Sequence, residues 1–561
     1  MSAGALFFAQ AETFIRGNLA GYYPGVEKRI VVMSAENISG KSWKITDEAG
    51  NSAASGTIGA SVEGRGDNSP FAYNFEILFS ELNREGNYKL SIDGNKDFPV
   101  KITNNPYQEA IQSSLRWLRV NRSGTNETLD RLPAHLGDST AYVYYRSGPK
   151  KTDAWVECED GRYLDLRGGW YLGGNYTKST SLIAFTSYYL LRAYNVAPQS
   201  FAKKYSKSAL VDILDEAKFG LDYLMKVMPN DRDFIINVGG YDAERGVRLP
   251  HEDVMEGKRP AFSIKSSSDM GLTAAALALG ANTFKNIDPA LSERYKAMAI
   301  KIYTAANARG VQPEWLDRNG WTLFPDQTDK DNLLLAAAEL YRLTGDNNFL
   351  NQAKKIGDNL APAYWVSWDI QNMPAQALIA SVNPKSRTAL QADLNGFLNN
   401  SRGSKIWRLP MQYTANMLYN SFVIGFSAAN YTIIFDDKRF SSLITDILNY
   451  NFGLNNWGVS FTAVRSIPQS VRNFNLPIYK LQKRLFPEGA TAIGPCDRAT
   501  HYAQSRWILD DVRVNYAYPF NTPAMVFLDH EHDYMSMDSR IDGVASVIYL
   551  MTLSNTIFGG K

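Results

Sequence analysis

The chain has 561 residues, with 59 Lys plus Arg against 57 Asp plus Glu and a formal net charge of +2. That balance excludes an acidic tail protein and leaves no general basic footprint for nucleic acid. With 45% hydrophobic and 21% charged residues the chain is not disordered, and at roughly 150 residues per domain it holds two to four domains or one large one.

In chain order, the first eleven residues end in Ala9-Gln-Ala11 after a short apolar run, like the h-region and cleavage site of a signal peptide, although the basic n-region is missing. Export is the expectation; an ordinary N-terminal strand is the alternative. Residues 12–103 read as strands: Arg29-Ile-Val-Val-Met33, Ser42-Trp-Lys-Ile-Thr46, Tyr73-Asn-Phe-Glu-Ile77 and Tyr88-Lys-Leu-Ser-Ile92, broken by turn material at Glu48–Asn51 and Asp93–Asn95. This pattern predicts an immunoglobulin-type β-sandwich. Asn104-Asn-Pro106 reads as a hinge.

From 104 to 561 the period becomes helical. Helices are predicted at Ala110–Leu118, Asp212–Leu224, Ser267–Phe284, Pro289–Asn307, Asp331–Thr344, Asn347–Leu360, Asn416–Tyr431 and Ile541–Leu553, with weaker ones near 180–194, 386–399 and 439–450. Nearly a dozen helices joined by short loops, without a fixed repeat, favour an (α/α) toroid over a four-helix bundle or a solenoid. The stretches Asn121–Ser179 and Asn451–Tyr516 are too long for plain connections, and long loops in compact domains are usually functional. No apolar run reaches the roughly 18 residues of a membrane helix. Two cysteines, Cys158 and Cys496, exclude a disulfide scaffold and a Cys-based zinc cluster, leaving one bridge open; five His disfavour a multi-His metal site.

The long loops carry a resemblance. Gly168-Gly-Trp-Tyr-Leu-Gly-Gly-Asn-Tyr-Thr-Lys178 is similar to the Gly-Gly-Trp-Tyr-Asp-Ala-Gly-Asp-Tyr-Gly-Lys signature of glycoside hydrolase family 9, the inverting cellulases. Pro133-Ala-His-Leu-Gly-Asp138, His251-Glu-Asp253, Ser267-Ser-Asp269, Asp331–Asp346 and Asn455-Asn-Trp-Gly-Val-Ser-Phe461 resemble further family segments in the same order. The N-terminal sandwich, with Gly21-Tyr-Tyr-Pro24, is similar to the immunoglobulin-like domain that precedes many of these catalytic domains. The resemblance implies an (α/α)6 barrel after the β-sandwich.

It also implies where the chemistry belongs. Inverting hydrolysis needs one carboxylic acid for the leaving oxygen and one carboxylate to activate water. The family's two loop Asp fall on Leu172 and Asn175, and the Glu of its C-terminal Tyr-x-x-Asn-Glu motif falls on Thr522, or on Phe520 in a shifted register. None is an acid, so the expectation is a non-hydrolytic protein that binds a glycan or serves a structural or assembly role at the cell surface. Its expected partners are a polysaccharide or oligosaccharide and other surface proteins, with no nucleic acid and no membrane span.

For binding, Trp170, Tyr171 and Tyr176 are candidate stacking rings; Asn175, Lys178, His135, Asp138, Arg472 and Tyr518 are candidate polar contacts, and a purely structural loop is the competing reading. Two catalytic alternatives stay open. One is hydrolysis with relocated acids drawn from Asp138, Asp165, Asp510, Asp511 and Glu531; the other is a uronate lyase using Asn175, Tyr171, Tyr176 and Arg472. Arg465, Arg472, Lys480, Lys483 and Arg484 form a run with no acid before Glu488, either a solvated face or a surface for an anionic glycan. Asp529-His-Glu-His-Asp533 has the wrong spacing for a helical metal site and reads as an exposed stretch; structural calcium is the one cofactor left open.

Overall fold

The computed structural model describes residues 13–93, 97–124, 132–146, 155–174, 176–239, 247–253, 259–309, 326, 328–411, 414–510 and 519–560. Asn175, Asp511 and Tyr518 lie outside the described residues, as does the side chain of Asp510.

The N-terminal unit is a sandwich of two antiparallel sheets. One orders β1 (Thr13–Arg16), β2 (Arg29–Ser34) and β5 (Tyr73–Leu78); the other orders β4 (Ser52–Thr57), β3 (Ser42–Asp47), β6 (Gly86–Ile92) and β7 (Phe98–Ile102). Strand β2 is buried along its whole length because its two faces serve different cores. Ile30 and Val32 join the sandwich interior with Ile45, Phe75 and Leu90, while Val31 and Met33 join the helical core. Successive strand residues point to opposite faces, so the unbroken apolar run marks a strand covered on both sides.

Twelve helices then close a double ring. The inner ring is α2 (Thr180–Val196), α4 (Ser267–Phe284), α6 (Lys330–Thr344), α8 (Asn372–Ile379), α10 (Met417–Phe435) and α15 (Ile541–Phe558), each packed on the next and α15 returning to α2. The outer layer is α1 (Gln108–Val120), α3 (Asp212–Leu224), α5 (Pro289–Arg309), α7 (Asn347–Asp358), α9 (Pro384–Gly403) and α11 (Ser441–Asn451), each against one inner helix. The ends are signalled locally: Ser179, Ser266, Asp346 and Asn383 cap the first turns of α2, α4, α7 and α9, and Gly345 closes α6 with φ 73°. The expected toroid is therefore present, with α8 added to the predicted set. Tyr534–Phe558 contains an 18-residue window apolar enough by composition to cross a membrane, but 78% of that window is buried and α15 closes the inner ring.

The long loop 121–179 supplies four strands of a third sheet, β8 (Ala141–Arg146), β9 (Trp155–Glu157), β10 (Tyr163–Leu164) and β11 (Lys178–Ser179), completed after α3 by β12 (Ile235–Val238) and β13 (Arg259–Ser263). Beyond it α12 (Pro477–Leu481), α13 (Arg498–Asp510) and α14 (Tyr534–Met537) decorate the C-terminal loops. Cys158 and Cys496 are both buried free thiols, so the bridge left open by the sequence is not formed.

The sandwich is bolted to the barrel, and Asn104 is no free hinge: it accepts from the Gly560 N–H and pairs with Glu85. Arg29, 1% exposed, donates to the carbonyls of Ile406 (2.7 Å) and Trp407 (3.3 Å) and faces Asp446 (3.4 Å) and Glu76 (3.1 Å). Removing one partner of a buried charge pair typically costs about 3–5 kcal/mol because the other charge stays uncompensated. Arg29→Ala is expected to lower stability on that scale, read by denaturant unfolding, whereas an exposed control such as Lys44→Ala should leave the midpoint unchanged.

Candidate functional site

The third sheet places charges that a sequence reading cannot bring together. Lys178 lies in β11, Arg259 opens β13, and Asp138 sits in the 3-10 turn Leu136–Thr140 just before β8. Asp138 receives Arg259 Nε at 2.9 Å, Lys178 Nζ at 2.7 Å and Ser123 Oγ at 2.8 Å. Arg259 also reaches Asp253 at 3.0 Å and donates to the Tyr176 carbonyl at 2.7 Å. Asp253 in turn meets His135 Nδ1 at 2.9 Å and Arg248.

Burial alone would raise the Asp138 carboxyl, but Lys178 and Arg259 outweigh it and hold it at about 2. The same balance, with His135 and the arginines as partners, keeps Asp253 well below the usual carboxylate range. Burial lowers His135, so the ring is neutral near pH 7; its Nε2 is buried without a hydrogen-bond partner. Around that ring stand Tyr171 and Tyr176, each with centroid 4.6 Å away. His135 and Tyr176 both hold left-handed backbone, φ 54° and 52°, a strained state for such side chains that the ion pairs on either side pin in place.

Trp170 belongs to an adjoining network. Its indole N–H donates to Glu216 at 3.2 Å, and Glu216 also takes Arg122 at 3.0 Å and Arg119 at 3.2 Å. The ring lies where a side chain on Gly220 of α3 would have to go, 2.6 Å from the position of its Cβ.

Trp170, Tyr171, Tyr176, Lys178, His135 and Asp138 do converge on one loop, but all are between 0 and 3% exposed. They hold the loop together and present no face to a sugar in this structure. Tyr171 and Tyr176, the rings the lyase alternative draws on, are among the buried ones. Among the relocated acids, Asp165 is exposed and tied to Arg167 at 2.7 Å, Asp138 is enclosed by cations, and Glu531 is paired with Lys483.

Thr522 faces the sandwich. Its hydroxyl donates to the Asp67 carbonyl of the sandwich at 2.6 Å, and Phe520 packs on Phe14 and Phe71 of the same unit. Both residues belong to the interface with the sandwich. Leu172, 1% exposed, is in the loop as expected.

The C-terminal residues that do face this loop were missed. A Cβ on Gly173 would come within 2.8 Å of the Ser539 carbonyl and 3.0 Å of Asp538 Oδ1, and one on Gly174 within 2.7 Å of the Asn475 carbonyl. Burial pushes Asp538 up to about 6. Further carboxyls line the N-terminal ends of the inner helices. Asp269 accepts from Ser181 and Ser266, Asp331 accepts the Gln371 N–H, and Asp326 accepts from Asn332. Burial raises Asp269 and Asp331 to about 6, and burial with the neighbouring Asp331, Asp269 and Asp369 raises Asp326 well above its ordinary value. Acids just before or at helix starts were the available signal. The Asp529–Asp533 stretch does not converge: Asp529 accepts backbone N–H groups of Arg472 and Asn473, Glu531 takes Lys483, and the fully buried Asp533 holds His501 at 2.9 Å.

A barrel of this plan, with a Gly-Gly-Trp-Tyr loop at its mouth, has a counterpart among known sequences. The family model for glycosyl hydrolase family 9 matches residues 107–551. The chain belongs to this family. A cellulase N-terminal ig-like domain matches residues 10–97. Endoglucanase 4 of Bacillus sp. (strain KSM-522) is 28% identical over 358 residues, 56% of this chain and 51% of that protein. Endoglucanase D of Acetivibrio thermocellus is 24% identical over 409 residues, 68% of this chain and 60% of that protein. The chain thus spans about half the length of the first relative. The crystal structure of a metagenome-derived family 9 endoglucanase superposes with TM-score 0.79 at 20% identity, covering 97% of this chain and 99% of that one. A Bacteroides ovatus family 9 structure gives 0.76 at 17%, with 97% and 99% covered. At such identities the structures speak for the fold.

Two outcomes are expected of the loop. Trp170→Ala empties a fully buried ring site and removes one of the partners of Glu216, which keeps Arg119 and Arg122, so it should cost roughly 3–5 kcal/mol in denaturant unfolding. Because Asp138 sits below its ordinary 3.8 in the folded chain, its contribution is present above about pH 4 and lost as pH falls toward 2. Thermal melts between pH 5 and 2 should show that loss, and it should shrink in Asp138→Asn.

Proposed function

We propose that the chain recognises a polysaccharide outside the cell without hydrolysing it by the carboxylate pair of its family. The observation that carries this is the closed contact of the Leu172–Gly174 turn with Asn475, Asp538 and Ser539. An aliphatic side chain stands where the resembling loop has an acid, and the two glycines after it press on the opposing loops at distances that exclude even a methyl group. Inverting hydrolysis places a water between two carboxyl groups roughly 6.5–9.5 Å apart. Leu172 can neither bind nor deprotonate that water. Family membership and a polysaccharide ligand fit the endoglucanase relatives; export fits a polymer that cannot enter the cell.

One observation favours a second reading, an active hydrolase with substitute acids. Asp538, beside the same turn, is held at about 6, a value suited to a general acid near neutral pH. Reducing-end assays on cellulose, mixed-linkage glucan and xylan decide between them. The expected outcome is no release above a blank. Sustained turnover that disappears in Asp538→Asn would replace the first reading by the second.

A further inference from the structure

The basic segment 465–484 becomes a built surface in the fold. Arg472, Lys483 and Arg484, with Tyr479, Phe486 and Glu531, line a cavity of about 200 Å³. Phe486 is the platform that organises it: the Arg465 guanidinium lies 4.9 Å and that of Arg472 5.5 Å from its ring centre. Neighbouring carboxylates are already engaged. Glu488 takes Arg116 at 2.7 Å and Arg465 at 3.6 Å, Glu531 takes Lys483, and Asp529 accepts the backbone N–H groups of Arg472 and Asn473. Arg484 is exposed and, among the described residues, makes no ion pair. Five cations with three carboxylates leave the surface positive, in a chain that is nearly neutral as a whole.

The surface does not end at the cavity. Glu531 lies 3.6 Å from His532 Nε2, and His532 lies 6.0 Å, ring to ring, from Trp507. Trp507 is 61% exposed and Tyr534, whose hydroxyl bonds Gln504, is 43% exposed. Large aromatic rings are normally drawn inward, and one left open beside fixed polar groups is suited to stacking a flat ligand. The cavity is smaller than the roughly 300–1,000 Å³ that encloses a whole ligand, so it takes a substituent or one ring while the rest lies along the surface.

We propose that this rim is a subsite for a uronate-containing polysaccharide, with a sugar carboxylate held by Arg472 and Arg484 and a neighbouring ring stacked on Trp507. The inference rests on the reading of the chain as a polysaccharide-recognising protein and names the ligand class. A guanidinium presents a planar fork that matches a carboxylate with two parallel hydrogen bonds. A neutral glucan offers the cations nothing comparable.

Isothermal titration of the full chain with tetragalacturonate, cellotetraose and a sulfated tetrasaccharide tests it, at low and high salt. Tetragalacturonate is expected to bind at least tenfold more tightly than cellotetraose, with an affinity that falls as salt rises. Arg484→Glu and Trp507→Ala, both at exposed positions, should each weaken tetragalacturonate tenfold or more while the thermal midpoint stays put. Equal binding of the two unsulfated ligands, or uronate affinity unchanged in Arg484→Glu, overturns the subsite. Cellotetraose bound without tetragalacturonate removes the subsite and leaves polysaccharide recognition standing; binding of neither, nor of the sulfated ligand, removes both. Tighter binding of the sulfated ligand overturns the carboxylate assignment.

Discussion

The buried charge cluster of Asp138, Lys178, Arg259, Asp253 and His135 is the constraint on which the mouth of the barrel depends. Removing charges from water is costly, and a buried ion pair returns that cost only when geometry and extra hydrogen bonds are good. Here Asp138 meets Lys178 and Arg259, Asp253 meets Arg259, Arg248 and His135, and Arg259 gives a further N–H to the Tyr176 carbonyl. The members come from a 3-10 turn, two strands of one sheet and a loop, so the cluster fixes how those pieces meet. It is also what lets His135 and Tyr176 stay in left-handed backbone conformations.

That dependence changes the meaning of the Gly-Gly-Trp-Tyr loop. Trp170 is anchored by Glu216 and by the absence of a side chain at Gly220, and the turn after Leu172 is pressed onto the loops around Asn475 and Asp538. The loop is a joint between the sheet, α3 and the C-terminal segments. A joint of this kind can be retained for the sake of the fold, whatever becomes of the chemistry it once positioned in other members of the family.

How much of this was legible in the sequence depended on the range of the interaction. Helix bounds came out nearly to the residue at Asp212–Leu224 and Ser267–Phe284, since the caps and apolar periods that set them are local. Strands of two to four residues such as Lys178–Ser179 and Ile235–Val238 carry too short a pattern to be read, and their pairing spans tens of residues. The site was legible as a place but not as an environment. Trp170 and Glu216 are 46 residues apart, and nothing in either segment says that the indole will be sealed against that carboxylate. Thr522 is a related case: a five-residue motif fixes no register, and nothing in it announces a partner, Asp67, 455 positions away in another domain.

The charge layout also separates two regions that look alike on a map of loops. The inner end of the barrel, where α4 and α6 begin, gathers Asp269, Asp326 and Asp331, acids whose burial resists ionisation. Helix N-termini favour negative charge there, but each carboxylate that ionises makes the next one harder to ionise. An anionic chain gains nothing by entering such a place. The rim a short distance along the same loops has the opposite sign, because Arg465, Arg472 and Lys483 are arrayed over and around Phe486 with their acids already paired. Under the proposed uronate subsite, a polymer bearing carboxylates would be held on the outside of the mouth, where its charge is matched. The exposed Trp507 adjoins that rim through His532 and Glu531.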